Sequence, residues 1–308
     1  MRDRLKELRE QLTSNVLGTE HSAGMLIVAL ISNGHVLLQG APGVGKTTLA
    51  GILSRSVNGT FNRVQFTPDL LPSDILGYSM YNQAASEFQF IPGPVFCNIL
   101  LADEINRTNP RIQSALLECM NEHQVTIDGI TRVLKPPFMV IATQNNLYST
   151  GTFPLPEPQL DRFLLSIDME LPDVGVQQDI LRYHADRKNE LEIEAVLTTE
   201  QLFQIQDEVR NMPVSGQLNR YIIELSEATR DHIKIRNGVS PRGSIALMRA
   251  AQAAAYMNGH TAVYPDDVKA VLPNVFGHRL AAKEAGIGSV QQIRDCIEDI
   301  LDQTSVPV

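Results

Sequence analysis

One stretch constrains this chain more than any other: Gly40-Ala41-Pro42-Gly43-Val44-Gly45-Lys46-Thr47. It lies between an apolar, strand-like run at His35–Gln39 and a segment, Thr47–Val57, with Leu49, Ile52, Leu53 and Val57 at helical spacing. Glycines at its first and last turns let the backbone fold tightly with N–H groups facing inward. The helix that follows aims the positive end of its dipole at the same spot. Strand, glycine-rich turn, then helix is the context in which this spacing holds phosphate groups, where a chance glycine-rich turn would lack the flanking elements.

The rest of the first half fits around that unit. Further strand-like runs are predicted at Asn62–Thr67, Cys97–Asp103, Phe138–Thr143 and Phe163–Asp168, with helical segments between several of them. Strands alternating with helices predict a parallel sheet covered on both faces. Two stretches break the alternation. Gly77–Tyr81 and Glu87–Ile91, separated by polar residues, read as a β-hairpin inserted within Asp74–Pro94. Gln124–Ile127 and Ile130–Val133 flank Asp128-Gly129, a strong two-residue hairpin signal. Aromatic residues Tyr81, Phe88 and Phe90 alternate along the first hairpin, and packing is the expected role of the two phenylalanines.

Upstream, Leu5, Leu8, Leu12 and Val16 mark an amphipathic helix, and a second helix is predicted from Glu20 to Ile31, broken by Asn33-Gly34. Past Leu171-Pro172-Asp173 the strand signals stop and helical patterns such as Ser244–Met257 and Asp266–Leu272 take over. A boundary near Pro172 therefore divides residues 1–172, an α/β core, from 173–308, a helical region.

Charge and cysteine content narrow the field. A formal net charge of -9 argues against a broad basic surface for duplex nucleic acid, and no stable nucleic-acid binding is expected. Cys97, Cys119 and Cys296 are far apart, odd in number and without metal spacing, as expected of reduced thiols. The chain opens on a charged amphipathic segment, and the apolar run Ala23–Ile31 is far short of the roughly 20 residues of a membrane span, so a cytoplasmic protein is expected.

Four further motifs carry chemistry. The run Asn98–Glu104 delivers two acids at a strand end, where ligands of open α/β sheets bind. Asp103 can hold a Mg²⁺ shell and Glu104 can polarise an attacking water; a solvated acidic strand end is the plain alternative. Ile141–Asn146 offers the amide of Asn145 to a γ-phosphate, or a turn-forming Asn pair. Leu160-Asp161-Arg162-Phe163 offers an arginine to a transferring phosphoryl group, or a surface arginine paired to Asp161. Val239-Ser240-Pro241-Arg242-Gly243 opens a helix, with Arg242 able to reach a nucleotide across the domain gap, or serving as an ordinary first turn.

In this order the motifs resemble those of the AAA+ ATPases, and of the MoxR family in particular, over about Val16 to His278. The most specific stretches are Gly34–Thr47, Ala102-Asp103-Glu104-Ile105-Asn106-Arg107, Leu160–Phe163 and Ser240-Pro241-Arg242, with Gln65–Asp74 in support. The resemblance implies an AAA+ P-loop domain with a five-stranded parallel sheet between helices, two inserted β-hairpins and a small all-helical lid domain. It implies ATP and Mg²⁺ as cofactors. Gly40 to Thr47 would form Walker A, with Gly40, Pro42, Gly43, Val44, Gly45, Lys46, Thr47 and Thr48 binding the nucleotide, and Asp103 with Glu104 would close Walker B. Thr47 and Asp103 would be the metal ligands, Asn145 sensor 1, Arg162 the arginine finger and Arg242 sensor 2. Asn146 stands where the family usually has proline, which alters the turn but leaves the Asn145 amide in place. Rings, usually hexamers, and chaperone-like action on partners carrying a von Willebrand factor A domain are further implications. A nucleic-acid motor and a nucleotide-gated scaffold with little turnover are the competing functions.

Overall fold

The computed structural model describes residues 1–144, 152–186, 193–283 and 289–307. In chain order the elements are α1 (Arg2–Asn15), α2 (Glu20–Ile31), β1 (Val36–Gly40), α3 (Lys46–Ser56), β2 (Phe61–Gln65), α4 (Pro72–Leu76), β3 (Gly77–Asn82), β4 (Glu87–Pro92) and β5 (Ile99–Asp103). Next come α5 (Pro110–Glu122), β6 (Gln124–Ile127), β7 (Ile130–Val133), β8 (Met139–Gln144), α6 (Glu157–Leu160), β9 (Leu165–Met169) and α7 (Val174–Asp186). The remainder is α8 (Thr199–Arg210), α9 (Gly216–Asp231), β10 (Ile235–Asn237), α10 (Pro241–Met257), α11 (Pro265–Phe276), β11 (Ala281–Ala282) and α12 (Ser289–Gln303).

The five predicted strands form one sheet in the order β2-β5-β8-β1-β9. All four pairings are parallel. Their carboxyl ends therefore share one edge, which collects Gly40, Asp103, Gln144 and Gln65. Strands buried on both faces read as continuous apolar runs, and all five residues of β5 are buried. The pleat sorts them by face: Val36, Leu38, Ile99, Leu101 and Ile141 join one core, while Leu37, Leu100, Ala102, Val140 and Ala142 join the other.

The first core also holds Leu5, Leu8 and Leu12 of α1 and most of α2, and it continues into α8–α12. That placement explains the run Ala23–Ile31, which is apolar on every side because it is buried on every side. Among the described residues no helix is long and apolar enough to cross a membrane. All three cysteines are buried and free.

Both hairpins form. Asp128 and Gly129 adopt positive φ between β6 and β7, as a two-residue turn of this kind requires. In the first hairpin the expectation for the aromatics holds only in part. Phe90 packs edge-on against Phe96 and lies under the Arg132 guanidinium of β7, 3.8 Å from its ring centre. Phe88 instead stands 74 % exposed, touching Tyr81 across the ribbon, because this side of β3–β4 meets no core.

Among the described residues, the chain beyond α7 is helical apart from one short antiparallel ribbon, β10–β11. No alternating apolar run marks β10, since Ile235 is its one buried residue.

Candidate nucleotide-binding site

The site grows from the carboxyl edge of the sheet. Gly40, at the end of β1, has φ +142°, and a Cβ there would lie 2.2 Å from the Met169 carbonyl oxygen of β9. No other residue fits so close to the neighbouring strand. Gly43 has φ +85° and faces open space, so its backbone is free to meet a ligand. Gly45 caps α3, whose first residue is Lys46. The Lys46 ammonium turns back into the loop, donating to the Gly40 carbonyl at 2.7 Å and reaching the Gln144 carbonyl at 3.5 Å. Partial burial lowers its pKa, and the nearby Asp103 and Glu104 charges oppose that shift.

The acids at the end of β5 are held tightly. The Thr143 hydroxyl donates to Asp103 Oδ1 at 2.6 Å and accepts from the Glu104 N–H at 2.8 Å, so one β8 residue fixes both. The Thr47 hydroxyl donates to Asp103 Oδ2 at 3.4 Å. Glu104 adopts a left-handed backbone (φ 58°, ψ 50°) that swings its carboxylate out of the strand line. That carboxylate meets Gln65 Nε2 at 2.7 Å and Arg107 at 3.1 Å. Arg63 donates to Asp103 Oδ2 at 2.8 Å. Arg63, Gln65, Arg107 and Thr143 belong to the site and were not singled out from sequence. A polar i, i+2 pair within the β2 run was the available signal for the first two. Gln144 is a further addition, since its buried Oε1 has no hydrogen-bond partner although it ends β8 beside Lys46.

Beside the loop lies a cavity of about 1540 Å³. Gly43, Gly45 and Thr48 form one wall, and Asn274, His278 and Ile297 of the helical region face them. Burial, reinforced by the Arg279 charge, pushes the His278 pKa well below its usual value, so this wall is neutral there. Nucleotide-sized ligands suit such a gap between two layers. The donor set also fits Mg²⁺. Among the described residues no three His, Cys, Asp or Glu side chains are grouped to hold a metal alone. A hydroxyl and a single carboxylate at 3.4 Å are instead what a Mg²⁺ completed by phosphate oxygens and water needs.

Two arginines were also singled out from the sequence. Neither Arg162 nor Arg242 lines the cavity. Arg162 is half-buried, and among the described residues its guanidinium has no hydrogen-bond or ion-pair partner. The alternative of a surface pair with Asp161 is overturned: Asp161 is engaged by Arg279 at 2.7 Å and by the Ser240 hydroxyl at 2.9 Å. Arg242 is exposed in the first turn of α10, close enough to Arg279 for the two charges to oppose each other. Asn145 lies outside the described residues, as does Asn146.

Comparison with known proteins agrees with this arrangement. Residues 35–165 match the ATPase family associated with various cellular activities (AAA), and residues 227–299 match the AAA lid domain. The uncharacterized protein YeaC of Bacillus subtilis is 44 % identical over 97 % of this chain and 93 % of its own length. Chaperone MoxR1 of Mycobacterium tuberculosis is 38 % identical over 95 % of this chain and 79 % of its own. Protein MoxR of Paracoccus denitrificans is 33 % identical, covering 90 % and 88 %. A crystal structure from Cytophaga hutchinsonii, of a protein assigned as an ATPase, superposes with a TM-score of 0.90 at 36 % identity, covering 100 % of this chain and 96 % of that one. With the phosphate loop, the paired acids and the helical lid all in matching order, the chain belongs to the MoxR family of AAA+ ATPases.

Proposed function

We propose that the chain hydrolyses ATP with Mg²⁺ at the interfaces of a homo-oligomeric ring, and uses the turnover to remodel a protein client. The observation that carries the reading is convergence: Lys46, Thr47, Asp103 and Glu104 meet at one sheet edge.

In this mechanism the loop N–H groups and Lys46 bind the β- and γ-phosphates, and Gly43 to Thr48 line the path of the nucleotide. Thr47 and Asp103 would hold Mg²⁺, which when bound neutralises charge on the phosphate oxygens. Glu104 orients and deprotonates the attacking water once it leaves Gln65 and Arg107. Asn145, which follows β8 in the sequence, would serve as sensor 1, as the family resemblance implies. Arg162 of a neighbouring copy stabilises charge on the transferring group. Arg242 approaches the nucleotide from the lid. A hexamer and a client with a von Willebrand factor A domain rest on family resemblance, and the name of the chaperone relative supports the remodelling role.

The test uses phosphate release and nucleotide binding. Lys46→Ala is expected to lose binding, and Glu104→Gln to bind ATP without turnover. Arg162→Ala is expected to lose about 10³–10⁵ in rate. Mixing Arg162→Ala with Glu104→Gln should restore part of the turnover, because the second variant supplies an intact arginine to the first variant's intact pocket. Wild-type rates in the three single variants, or no recovery on mixing, reject the interface mechanism.

A further inference from the structure

The segment 157–164, which carries Arg162, is anchored in the core by the buried Phe163 and by the Leu164 N–H on the His35 carbonyl at 2.8 Å, and its polar groups are also held by the lid. At its start, Glu157 accepts from Arg236 at 2.8 Å and from the Asn237 amide, both on β10. In its middle, the Asp161 carboxylate accepts from Ser240 Oγ at 2.9 Å and from Arg279 Nε at 2.7 Å. At its end, Arg279 donates to the Leu164 carbonyl at 3.0 Å and also to the carbonyls of Asp161 and Phe163. The Arg279 side chain is only 3 % exposed. A guanidinium buried this far keeps its position only while its donors are matched, so the clamp has one well-defined geometry.

The other ends of these contacts matter as much. Arg279 directly follows His278, which lines the lid wall of the cavity. Ser240 is the N-cap of α10, accepting from the Gly243 N–H, and Arg242 sits in that helix's first turn. Asp161 therefore links three things: the cavity wall through Arg279, the helix bearing Arg242 through Ser240, and Arg162 through the chain itself.

We propose that Asp161 and Arg279 are positioning residues that link the Arg162 segment to the lid, so that nucleotide in a subunit's own cavity adjusts where its Arg162 stands in the neighbour's site. This rests on the reading that Arg162 acts on an adjacent copy. A lid that closes on nucleotide draws residue 278 toward the phosphate loop, and residue 279 pulls on the Asp161 carboxylate. Asp161 follows because buried donors are costly to separate from their acceptors, while Phe163 and Leu164 stay anchored in the core.

Asp161→Asn keeps the shape of the side chain and removes the charge facing Arg279. A displacement of the order of 1 Å at a catalytic group costs about 10²-fold. Turnover at saturating ATP is accordingly expected to fall about 10–100-fold, with the dissociation constant of a fluorescent nucleotide analogue and the oligomer size unchanged. The double variant with Arg162→Ala should be no slower than Arg162→Ala alone. The Hill coefficient of turnover in ATP, expected above one in the wild type, should fall to about one. Should Asp161→Asn fail to fold, Ser240→Gly serves in its place, since glycine retains most of the capping preference while the bond to Asp161 is lost. The same pattern is expected at smaller amplitude.

Wild-type turnover and cooperativity in the variant overturn the proposal. So do losses that multiply with those of Arg162→Ala, or a loss of nucleotide affinity in step with turnover, each of which marks a purely structural clamp. Wild-type turnover in Arg162→Ala is a different failure: it rejects the action of Arg162 on a neighbour and not the linkage to the lid.

Discussion

Arg63 and Thr47 address the same oxygen: the guanidinium donates to Oδ2 of Asp103 at 2.8 Å and the hydroxyl at 3.4 Å. Asp103 Oδ1 is already taken by Thr143 at 2.6 Å. The oxygen open to a metal is therefore the one carrying a permanent cation. Arg63 compensates the charge of the acid at the strand end, on the oxygen that would face a divalent ion.

Removing that cation should ease metal entry. In Arg63→Gln, the Mg²⁺ concentration at half-maximal nucleotide binding is expected to drop about three- to tenfold, in line with roughly 1 kcal/mol from a half-exposed pair. Titrating Mg²⁺ against a fluorescent nucleotide at fixed ionic strength measures it. A rise in the midpoint instead would mean that Arg63 helps to bind the phosphates.

Thr143 serves both acids, so its hydroxyl is the next residue to test. Thr143→Val leaves the Glu104 N–H without its acceptor and Asp103 Oδ1 without its donor, in a position 1 % exposed. An unmatched buried group costs about 1–3 kcal/mol. Denaturant unfolding should show that loss, and turnover should fall at least about tenfold as the acids lose register, a change of roughly 1.4 kcal/mol in barrier. Thr143→Ser retains the hydroxyl and is expected to restore both.

His35 gives the fold an acid limit away from the site. Its Nδ1 accepts from the Val140 N–H at 2.9 Å and its Nε2 lies 3.0 Å from the Met120 carbonyl, so the ring is needed neutral. Burial, with a smaller push from His123, lowers its pKa to about 4 from an ordinary 6.5. A folded-state value below the unfolded one means that its contribution is full above pH 6.5. It is lost as pH falls from there toward 4, by roughly 3 kcal/mol in all. Stability measured by urea unfolding across that window should decline, and His35→Gln should flatten the decline while lowering stability at pH 8. An equally steep slope in the variant assigns the acid sensitivity to other groups.

How much of this was legible depended on distance along the chain. Gly40 to Thr47 was readable because all its parts are local: strand, turn and helix start lie within a dozen residues. Asp128-Gly129 was readable for the same reason. Arg63 and Gln65 were not, because their role appears only when β2 lies beside β5 with Gln65 opposite Asp103. The clamp on Asp161 joins residues 118 apart in sequence, and in the sequence alone Arg162 was the nearer candidate for that carboxylate. Arg107 was quoted within a motif, but nothing local indicates that the left-handed turn at Glu104 brings the two side chains together.

The first hairpin separates packing from recognition within two residues. Phe90 is half-buried between Phe96 and Arg132, so Phe90→Ala should cost about 2 kcal/mol and loosen the contact between the two hairpins. Phe88 is 74 % exposed and meets Tyr81 with ring centres 5.3 Å apart, so Phe88→Ala should change stability by no more than about 0.5 kcal/mol. An aromatic pair held in water at the tip of the ribbon has little reason to be there for the fold. If the ribbon touches the client, Phe88→Ala introduced into the Glu104→Gln trap should weaken client capture while the unfolding curve and nucleotide affinity stay put. Capture that is unchanged by Phe88→Ala but lost with Phe90→Ala would place recognition in the hairpin's attachment to the body and not at its tip.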